Sequence, residues 1–405
     1  MRYALHTRAM RLPRRGRWSA NSVQASLWHR PRFWVAVAIA VVIACTVVVA
    51  GLGTTPKASG ALAASTQLGT LSPQQLAGQR VIYSYSGLTP PASLLAQIKA
   101  GEAAGVIFYS DNISSETQIK GVIDQLQQAA AQSPVQQPLL MMTDQEGGLV
   151  RRLPGAPVLS EKQIGESSDP PAAATDAGLG AGENLSGVDM NVNLAPVLDV
   201  YRQAGDFIDQ YGRSYSSDPQ VVAQLGTDFI DAQQGTGVAA TAKHFPGLGA
   251  ATTDQDTDTG PVTLNVSLQD LRAIDEFPYL SAIAAGVKLV MVSWAIYPAL
   301  DPRRPAGLSP IVVKDELRSR LGFHGVTITD ALEAGALQAY GTTANRAVRA
   351  AKAGMDLLLC ASQNVSQGVS AVNALSNALQ SGKLGSSAFM ASVNRVTSLR
   401  SQLGP

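Results

Sequence analysis

The stretch VAATAKHFPGLGAATTDQD (residues 238–256) joins a short apolar run to a loop rich in glycine, threonine and aspartate. A cation, an imidazole and two carboxylates follow the apolar run directly. In barrels built from parallel strands, the chemistry lies at the C-terminal ends of the strands and in the loops that follow them. The stretch therefore predicts a buried strand whose C-terminal end opens a functional site.

Short runs rich in valine, isoleucine and leucine recur along the chain, with helical patterns between them such as residues 115–132 and 362–382. This alternation predicts an α/β fold of parallel strands and crossover helices, and eight units predict a closed (β/α)8 TIM-type barrel. An open doubly wound sheet is the alternative, but no G-x-G-x-x-G follows the first run. The eight runs are 80–86, 104–110, 138–144, 190–200, 238–245, 288–296, 325–330 and 355–361.

Polar clusters follow five of these runs. They are TDQEGG after the third, LDV after the fourth, KHFPG after the fifth, SWAIYP after the sixth and TDALEAG after the seventh. Five strands that deliver acids, bases or aromatic groups at one end predict a single site there.

The N-terminal part of the chain differs from the rest in charge. Residues 1–34 carry eight arginines and no acid, and the first acidic residue is Glu102. We assign 1–34 to a basic cytoplasmic segment, 35–53 to a transmembrane anchor or signal-peptide core, 54–72 to a flexible linker and 73–405 to the barrel domain. An uncharged run of about 20 residues can span a bilayer, and arginines ahead of it place the following residues outside. The expected location is the cell membrane with an extracellular catalytic domain, or secretion after cleavage near ALA (61–63).

Charge and composition exclude other classes of function. The net charge of +1 over 405 residues gives no basis for nucleic-acid binding. Cys45 lies in the apolar segment and Cys360 near the C-terminus, so no disulfide within the domain is expected. The chain has four histidines and no metal-ligand spacing, so we expect no metal and no organic cofactor.

Asp330 is a candidate nucleophile because it ends the apolar run GVTIT and small residues surround it. Retaining glycosidases need one carboxylate to attack the anomeric carbon and one acid to protonate the leaving oxygen. The alternative is that Asp330 caps the next helix. Two other candidates also have structural alternatives: Asp144 could form a turn, and His244 could pack in the core.

Four motifs together resemble glycoside hydrolase family 3, in the branch of bacterial β-N-acetylglucosaminidases: TDQEGGLVRRL (143–153), GRSYSSDP (212–219), KHFPG (243–247) and TITD (327–330). The resemblance covers about residues 80–399. It implies a barrel fold, Asp330 as nucleophile, and a substrate pocket formed by Asp144, Arg152, Arg213, Lys243 and His244.

The loop after KHFPG departs from the family pattern. In the relatives it carries an Asp-x-His pair whose histidine is the general acid and base, whereas this chain has Asp254, Gln255 and Asp256. Leu248 and Trp294 also stand where the relatives have histidine; the tryptophan could stack on a sugar or fill the end of the barrel. Asp254 or Asp256 could serve as the acid with a raised pKa, another group such as Asp258 could do so, or the protein could bind glycans with little turnover.

The function expected from these observations is a retaining hydrolase that removes non-reducing β-linked N-acetylglucosamine from cell-wall fragments. Its expected partners are a carbohydrate substrate and, through the N-terminal helix, the membrane; we expect no nucleic acid and a monomer. The alternative from another class is an exported glycan-binding protein. A Schiff-base role for Lys243, as in an aldolase, fits the neighbouring motifs less well.

Overall fold

A computed structural model of the protein describes residues 70–403. The predicted segments 1–34 and 35–53, and the linker up to residue 69, lie outside the described residues. Among the helices of residues 70–403, none is long and apolar enough to cross a bilayer.

Eight parallel strands form one nearly closed sheet, with the strand order β6-β3-β2-β1-β10-β9-β8-β7. Its first and last strands are joined by isolated parallel bridges, Val192 to Ala239 and Val197 to Lys243. This is the arrangement of a (β/α)8 barrel, so the predicted fold is confirmed. The strands are β1 Val81–Tyr83, β2 Gly105–Ile107, β3 Leu140–Thr143, β4 Gln145–Gly147, β5 Val150–Arg151, β6 Val192–Asn193, β7 Thr241–Phe245, β8 Leu289–Val292, β9 Val326–Ala331 and β10 Leu357–Leu359.

Helices alternate with the strands, and side-chain caps fix several of their N-termini. The hydroxyl of Ser115 accepts from the Gln118 N–H, and a carboxylate oxygen of Asp218 accepts from the Gln220 N–H. Two π-helical segments, Leu271–Asp275 and Ile311–Arg320, follow strands β7 and β8. The α-helices are α1 Pro73–Gly78, α2 Ala92–Lys99, α3 Glu116–Ala131, α4 Glu161–Gly165, α5 Pro170–Gly187, α6 Pro219–Gly235, α7 Leu268–Asp270, α8 Phe277–Ala284, α9 Thr343–Ala353, α10 Val365–Gln380 and α11 Ser386–Gln402.

The core has two layers because successive strand residues point to opposite faces. In β1, Ile82 belongs to the inner cluster, while Val81 and Tyr83 pack outward against the helices. Both layers are fully buried, which explains why the strands are apolar on both faces. The last helix, α11, adds Val396 and Leu399 to the inner cluster.

Charged groups close the N-terminal end of the barrel. The guanidinium of Arg400 on α11 donates to the carbonyl oxygen of Pro138, just before β3, at 2.7 Å. Asp356, just before β10, is fully buried and pairs with Arg318 at 2.5 Å and Arg395 at 2.7 Å. These contacts tie the last helix and the starts of the strands together at this end of the barrel.

The antiparallel pair β4 and β5 is an element that the sequence did not predict. It reverses the chain directly after β3, and it turns through Gly147 and Gly148, which have φ angles of 111° and 55°. A Cβ on Gly147 would lie 2.1 Å from the carbonyl oxygen of Leu159, so only glycine fits. The hairpin returns Arg152 to the C-terminal end of the barrel.

Candidate active site

A cavity of about 220 Å³ opens at the C-terminal ends of the strands. Strands β2, β3, β7, β8 and β9 or the loops after them contribute to its lining, as does the loop 254–260. Of the eight predicted site residues, Asp254 alone does not line it. The seven that do are Asp144, Arg152, Arg213, Lys243, His244, Asp256 and Asp330.

A buried cluster of two carboxylates and two cations forms one wall of the cavity. The Lys243 Nζ lies 2.7 Å from Asp144 Oδ1 and 2.6 Å from Glu146 Oε1. Arg213 forms two hydrogen bonds with Glu146, from Nε at 2.8 Å and from Nη2 at 2.9 Å. Two positive and two negative charges balance each other, which is what makes their burial tolerable.

The cations hold Glu146 ionised. Burial by itself would raise the pKa of Glu146, but the charges of Arg213 and Lys243, and their hydrogen bonds, hold this pKa well below its usual range. Burial by itself would lower the pKa of Lys243. The charges of Asp144 and Glu146 outweigh this effect, so the pKa of the lysine is raised. A lysine whose charge is fixed in this way is a poor Schiff-base nucleophile, so the structure argues against the aldolase alternative.

Glu161, at the start of α4, is a second buried glutamate next to this cluster. Burial and the charge of Glu146 raise the pKa of Glu161 well above its usual range, although the N–H of Val197 donates to one of its oxygens at 2.8 Å. The pKa of Glu161 is thus shifted in the opposite direction to that of Glu146. Neither Glu146 nor Glu161 was predicted as a site residue; the QEGG segment was the only signal for the first.

His244 is held by a buried carboxylate at the end of the fourth predicted strand. Its Nδ1 lies 2.7 Å from Asp199 Oδ2, and Asp199 Oδ1 accepts from the N–H of Leu248 at 2.7 Å. Asp199 is fully buried, so it fixes both the imidazole and the start of the loop after β7. Because Nδ1 donates to a carboxylate, Nε2 is the nitrogen that remains for a ligand.

Asp330 lies near the end of β9 and is partly exposed in the cavity. Its Oδ1 accepts from the N–H of Ala331 at 2.7 Å, and the carbonyl oxygen of Ala331 accepts from Trp294 Nε1 at 2.8 Å. Within residues 70–403, Asp330 has no ion pair and caps no helix. Trp294 is fully buried, so it fills the end of the barrel and does not stack on a ligand.

Arg152 is the cation of the site without an ion pair among the described residues. It lines the cavity, and its Nε is buried with no hydrogen-bond partner. Asp144 is similarly incomplete, since only Oδ1 meets a cation and its side chain is 17% exposed. Both groups are therefore available to polar groups of a ligand.

Two aromatic residues of the cavity were not predicted. Tyr109 follows β2, and burial together with the charges of Asp144, Glu333 and Asp330 raises its pKa, so the phenol stays neutral. Phe207 lines the cavity and packs edge to face against Tyr211, with ring centroids 5.9 Å apart. Aromatic faces at a polar cavity suit the apolar faces of sugar rings.

The three aspartates of the loop 254–260 differ in whether they line the cavity. Asp254 is exposed and lies outside the cavity lining, while Asp256 and Asp258 line it. Burial, then the charges of Asp330 and Asp256, raise the pKa of Asp258 to about 6. Within residues 70–403, no group of three or more histidine, cysteine, aspartate or glutamate side chains could hold a metal ion.

Comparison with known proteins gives consistent matches. The model of the glycosyl hydrolase family 3 N terminal domain matches residues 74–399. An uncharacterized secreted glycosyl hydrolase of Arthroderma benhamiae is 46% identical over 329 residues, which cover 81% of this chain and 93% of the relative. A β-hexosaminidase of Tolumonas auensis is 33% identical over 281 residues, which cover 67% of this chain and 79% of the relative.

Solved structures agree with these matches. A glycoside hydrolase family 3 β-N-acetylglucosaminidase from Paenibacillus sp. FPU-7 superposes with a TM-score of 0.78 at 34% identity. That match covers 82% of this chain and 63% of the Paenibacillus protein. A β-N-acetylhexosaminidase from Beutenbergia cavernae has a TM-score of 0.73 at 30% identity, with 82% of this chain and 99% of that protein covered.

Proposed function

The chain belongs to glycosyl hydrolase family 3 and is a glycosidase of the β-hexosaminidase type, and from this premise we propose that it removes non-reducing β-linked N-acetylglucosamine from peptidoglycan fragments. The reaction proceeds in two steps and retains the configuration at the anomeric carbon. Asp330 is the nucleophile.

The observation that carries this proposal is the isolation of the Asp330 carboxylate. It lies at a strand end within the cavity, and no cation among the described residues neutralises it. Two of the cations of the cavity, Lys243 and Arg213, both bind Glu146, and Arg152 forms no ion pair with Asp330. An ionised carboxylate without a cation keeps its electron pair available for attack on the anomeric carbon.

The binding roles follow from the groups that remain unsatisfied. Arg152 and the second oxygen of Asp144 hold hydroxyls of the terminal sugar, one as donor and the other as acceptor. Lys243 fixes Asp144, and Arg213 fixes Glu146, so the two cations shape the wall. His244 offers Nε2 to a further hydroxyl because Asp199 holds Nδ1.

We propose that the catalytic domain acts outside the cytoplasm. The basic segment and the apolar run ahead of the domain favour export, and the relative from Arthroderma benhamiae is a secreted glycosyl hydrolase. Peptidoglycan fragments are the substrate that fits an exported N-acetylglucosaminidase of a bacterial type.

The test is hydrolysis of an aryl β-N-acetylglucosaminide with an activated leaving group. We expect the purified protein to turn it over, and NMR of the first product to show the β-anomer. Asp330→Asn should reduce kcat at least about 10³-fold because it removes the attacking oxygen anion. Asp176→Asn is the matched control, since Asp176 is an exposed aspartate on α5 that makes no hydrogen bond through its side chain among the described residues.

Two results would contradict the proposal. Full turnover by Asp330→Asn would remove the nucleophile assignment, and a first product with inverted configuration would exclude a covalent intermediate. Binding of N-acetylglucosamine without any turnover would favour the glycan-binding alternative.

A further inference from the structure

In the loop 254–260, the side chain of Asp256 accepts a hydrogen bond from the backbone of Asp258. Asp256 Oδ1 accepts the N–H of Asp258 at 2.8 Å, and the carbonyl oxygen of Asp256 accepts from Thr259 Oγ1 at 3.0 Å. Both oxygens of Asp256 that accept these bonds bind groups of the same turn, so Asp256 is a turn-forming residue.

The same loop is fixed to the segment that follows the nucleophile strand. The N–H of Gly335 donates to the carbonyl oxygen of Asp258 at 2.8 Å, and the N–H of Ala336 donates to the carbonyl oxygen of Thr257 at 2.9 Å. Thr257 between the two aspartates is buried. A Cβ on Gly335 would lie 2.5 Å from the backbone of Thr259, so the two segments approach this closely only because residue 335 is glycine.

The loop is thereby fixed next to the segment that follows β9, and Asp258 and Asp330 both line the cavity. We propose that Asp258 is the general acid and base of the glycosidase, a role that rests on the proposed function. It replaces the loop histidine that the family resemblance led us to expect, two residues beyond the position where that histidine was sought.

The charged groups around Asp258 suit the role. Asp330 on β9, Glu333 after it and Asp256 in the same loop disfavour ionisation of Asp258, whereas His244 on β7 acts in the opposite direction. Burial has the largest effect, and together these influences raise the pKa of Asp258 to about 6. A general acid works best when its pKa lies near the working pH. Although its carboxyl group is buried enough to shift the pKa, Asp258 as a whole residue is still exposed to solvent in the free protein, so a sugar that covers it would raise its pKa further.

Asp254 and His244, the other candidates for the acid and base, are less suited to the role. Asp254 is exposed and outside the cavity lining. His244 is 6% exposed and hydrogen-bonded to Asp199, which suits it to holding a hydroxyl.

The bonds and protons of the two chemical steps are accounted for by Asp330, Asp258, the substrate and one water molecule. In the first, the Asp330 carboxylate forms a bond to the anomeric carbon, the bond from that carbon to the leaving oxygen breaks, and Asp258 gives its proton to that oxygen. In the second, the Asp258 carboxylate takes a proton from water, the water oxygen bonds to the anomeric carbon, and the ester to Asp330 breaks. Asp258 ends protonated and Asp330 ends ionised, as they began.

Azide rescue of Asp258→Ala tests the assignment, with phenyl and 2,4-dinitrophenyl β-N-acetylglucosaminide as substrates. Phenol is a poor leaving group that needs a proton, so we expect kcat/KM on the phenyl substrate to fall about 10²–10⁴-fold. Dinitrophenolate leaves without a proton, so the variant should show a burst of dinitrophenol followed by slow turnover. Azide should restore turnover and yield the β-glycosyl azide, because a small anion can attack the ester when no base is present.

Asp254→Ala and Asp256→Ala are the controls. Neither should give a β-glycosyl azide, and Asp254→Ala should retain nearly the wild-type rate on both substrates. Wild-type rates for Asp258→Ala on the phenyl substrate, or an azide product from Asp256→Ala instead, would overturn the assignment. Both results require an active wild-type enzyme, whereas failure of the proposed function would appear as an inactive wild type on both substrates.

Discussion

Replacing Glu146 by glutamine tests whether the buried charge cluster is essential to the fold. The substitution keeps the shape of the side chain but removes its charge. Arg213 would lose the carboxylate that accepts two hydrogen bonds, at 2.8 and 2.9 Å, and Lys243 would lose its contact at 2.6 Å. Asp144 would then be the one carboxylate left beside the buried Lys243 and the partly exposed Arg213, so one positive charge would be unbalanced.

The size of the effect follows from that imbalance. Removing one partner of a buried ion pair costs about 3–5 kcal/mol of the free energy of unfolding. A domain of about 330 residues has an unfolding entropy of about 0.7 kcal/mol per kelvin, so the Tm should fall by about 4–7 °C. Lys243 and Arg213 would also be free to shift, so we expect kcat/KM to fall as well.

The effect should depend on pH. The pKa of Glu146 is held below its usual range, so its contribution to stability is complete above the unfolded pKa of about 4.3. The contribution is lost as the pH falls below that value toward the pKa in the folded protein. The difference in Tm between wild type and Glu146→Gln should therefore narrow when the pH is lowered from about 5 to about 3.

Thermal unfolding followed by circular dichroism measures both the fall in Tm at pH 7 and its dependence on pH. Glu183→Gln is the matched control, because Glu183 is exposed on α5, and it should lower the free energy of unfolding by no more than about 0.5 kcal/mol. If Glu146→Gln unfolded within about 1 °C of Glu183→Gln at pH 7, the charge cluster would not hold the wall as argued. A difference that widened toward pH 3 would refute the assigned direction of the pKa.

Two further predictions concern the acid and base. Gly335→Ala should lower kcat on the phenyl substrate at least about tenfold, because it displaces the loop that carries Asp258. On the dinitrophenyl substrate the first step should remain fast and the second should slow, so a burst of dinitrophenol should precede slower turnover. Gly187→Ala is its control, since a Cβ there meets nothing within 4 Å, and equal rates for the two variants would contradict the prediction. For the wild type, kcat/KM on the phenyl substrate should fall about tenfold per pH unit above the pKa of Asp258, which is raised to about 6. Asp258→Ala should lack this limb, and a limb that persists in the variant would assign it to another group.

Local sequence patterns were sufficient to predict the scaffold and the position of the site. All eight predicted runs contain a strand of the barrel sheet, because short apolar runs separated by helical periodicity have few other ways to bury both faces. Asp330 and Lys243 reach one cavity because both lie on parallel strands of the barrel, whose C-terminal ends meet on one side.

Tertiary contacts decided the properties of the site that depend on residues far apart in sequence. Glu146 contacts Arg213 and Lys243, which lie 67 or more positions further along the chain. No local sequence pattern records these contacts, and they fix the charge of Glu146. The hairpin after β3 was missed because two-residue pairing leaves no periodicity.

The proposed proton donor illustrates the same division. The sequence placed three aspartates in one loop, and the family resemblance favoured Asp254 and Asp256, although as free side chains all three have the same pKa. Folding ranks them physically. Asp254 lies outside the cavity lining, and Asp256 accepts a backbone N–H. Asp258 lines the cavity together with Asp330, and burial and the charge of Asp330 raise the pKa of Asp258.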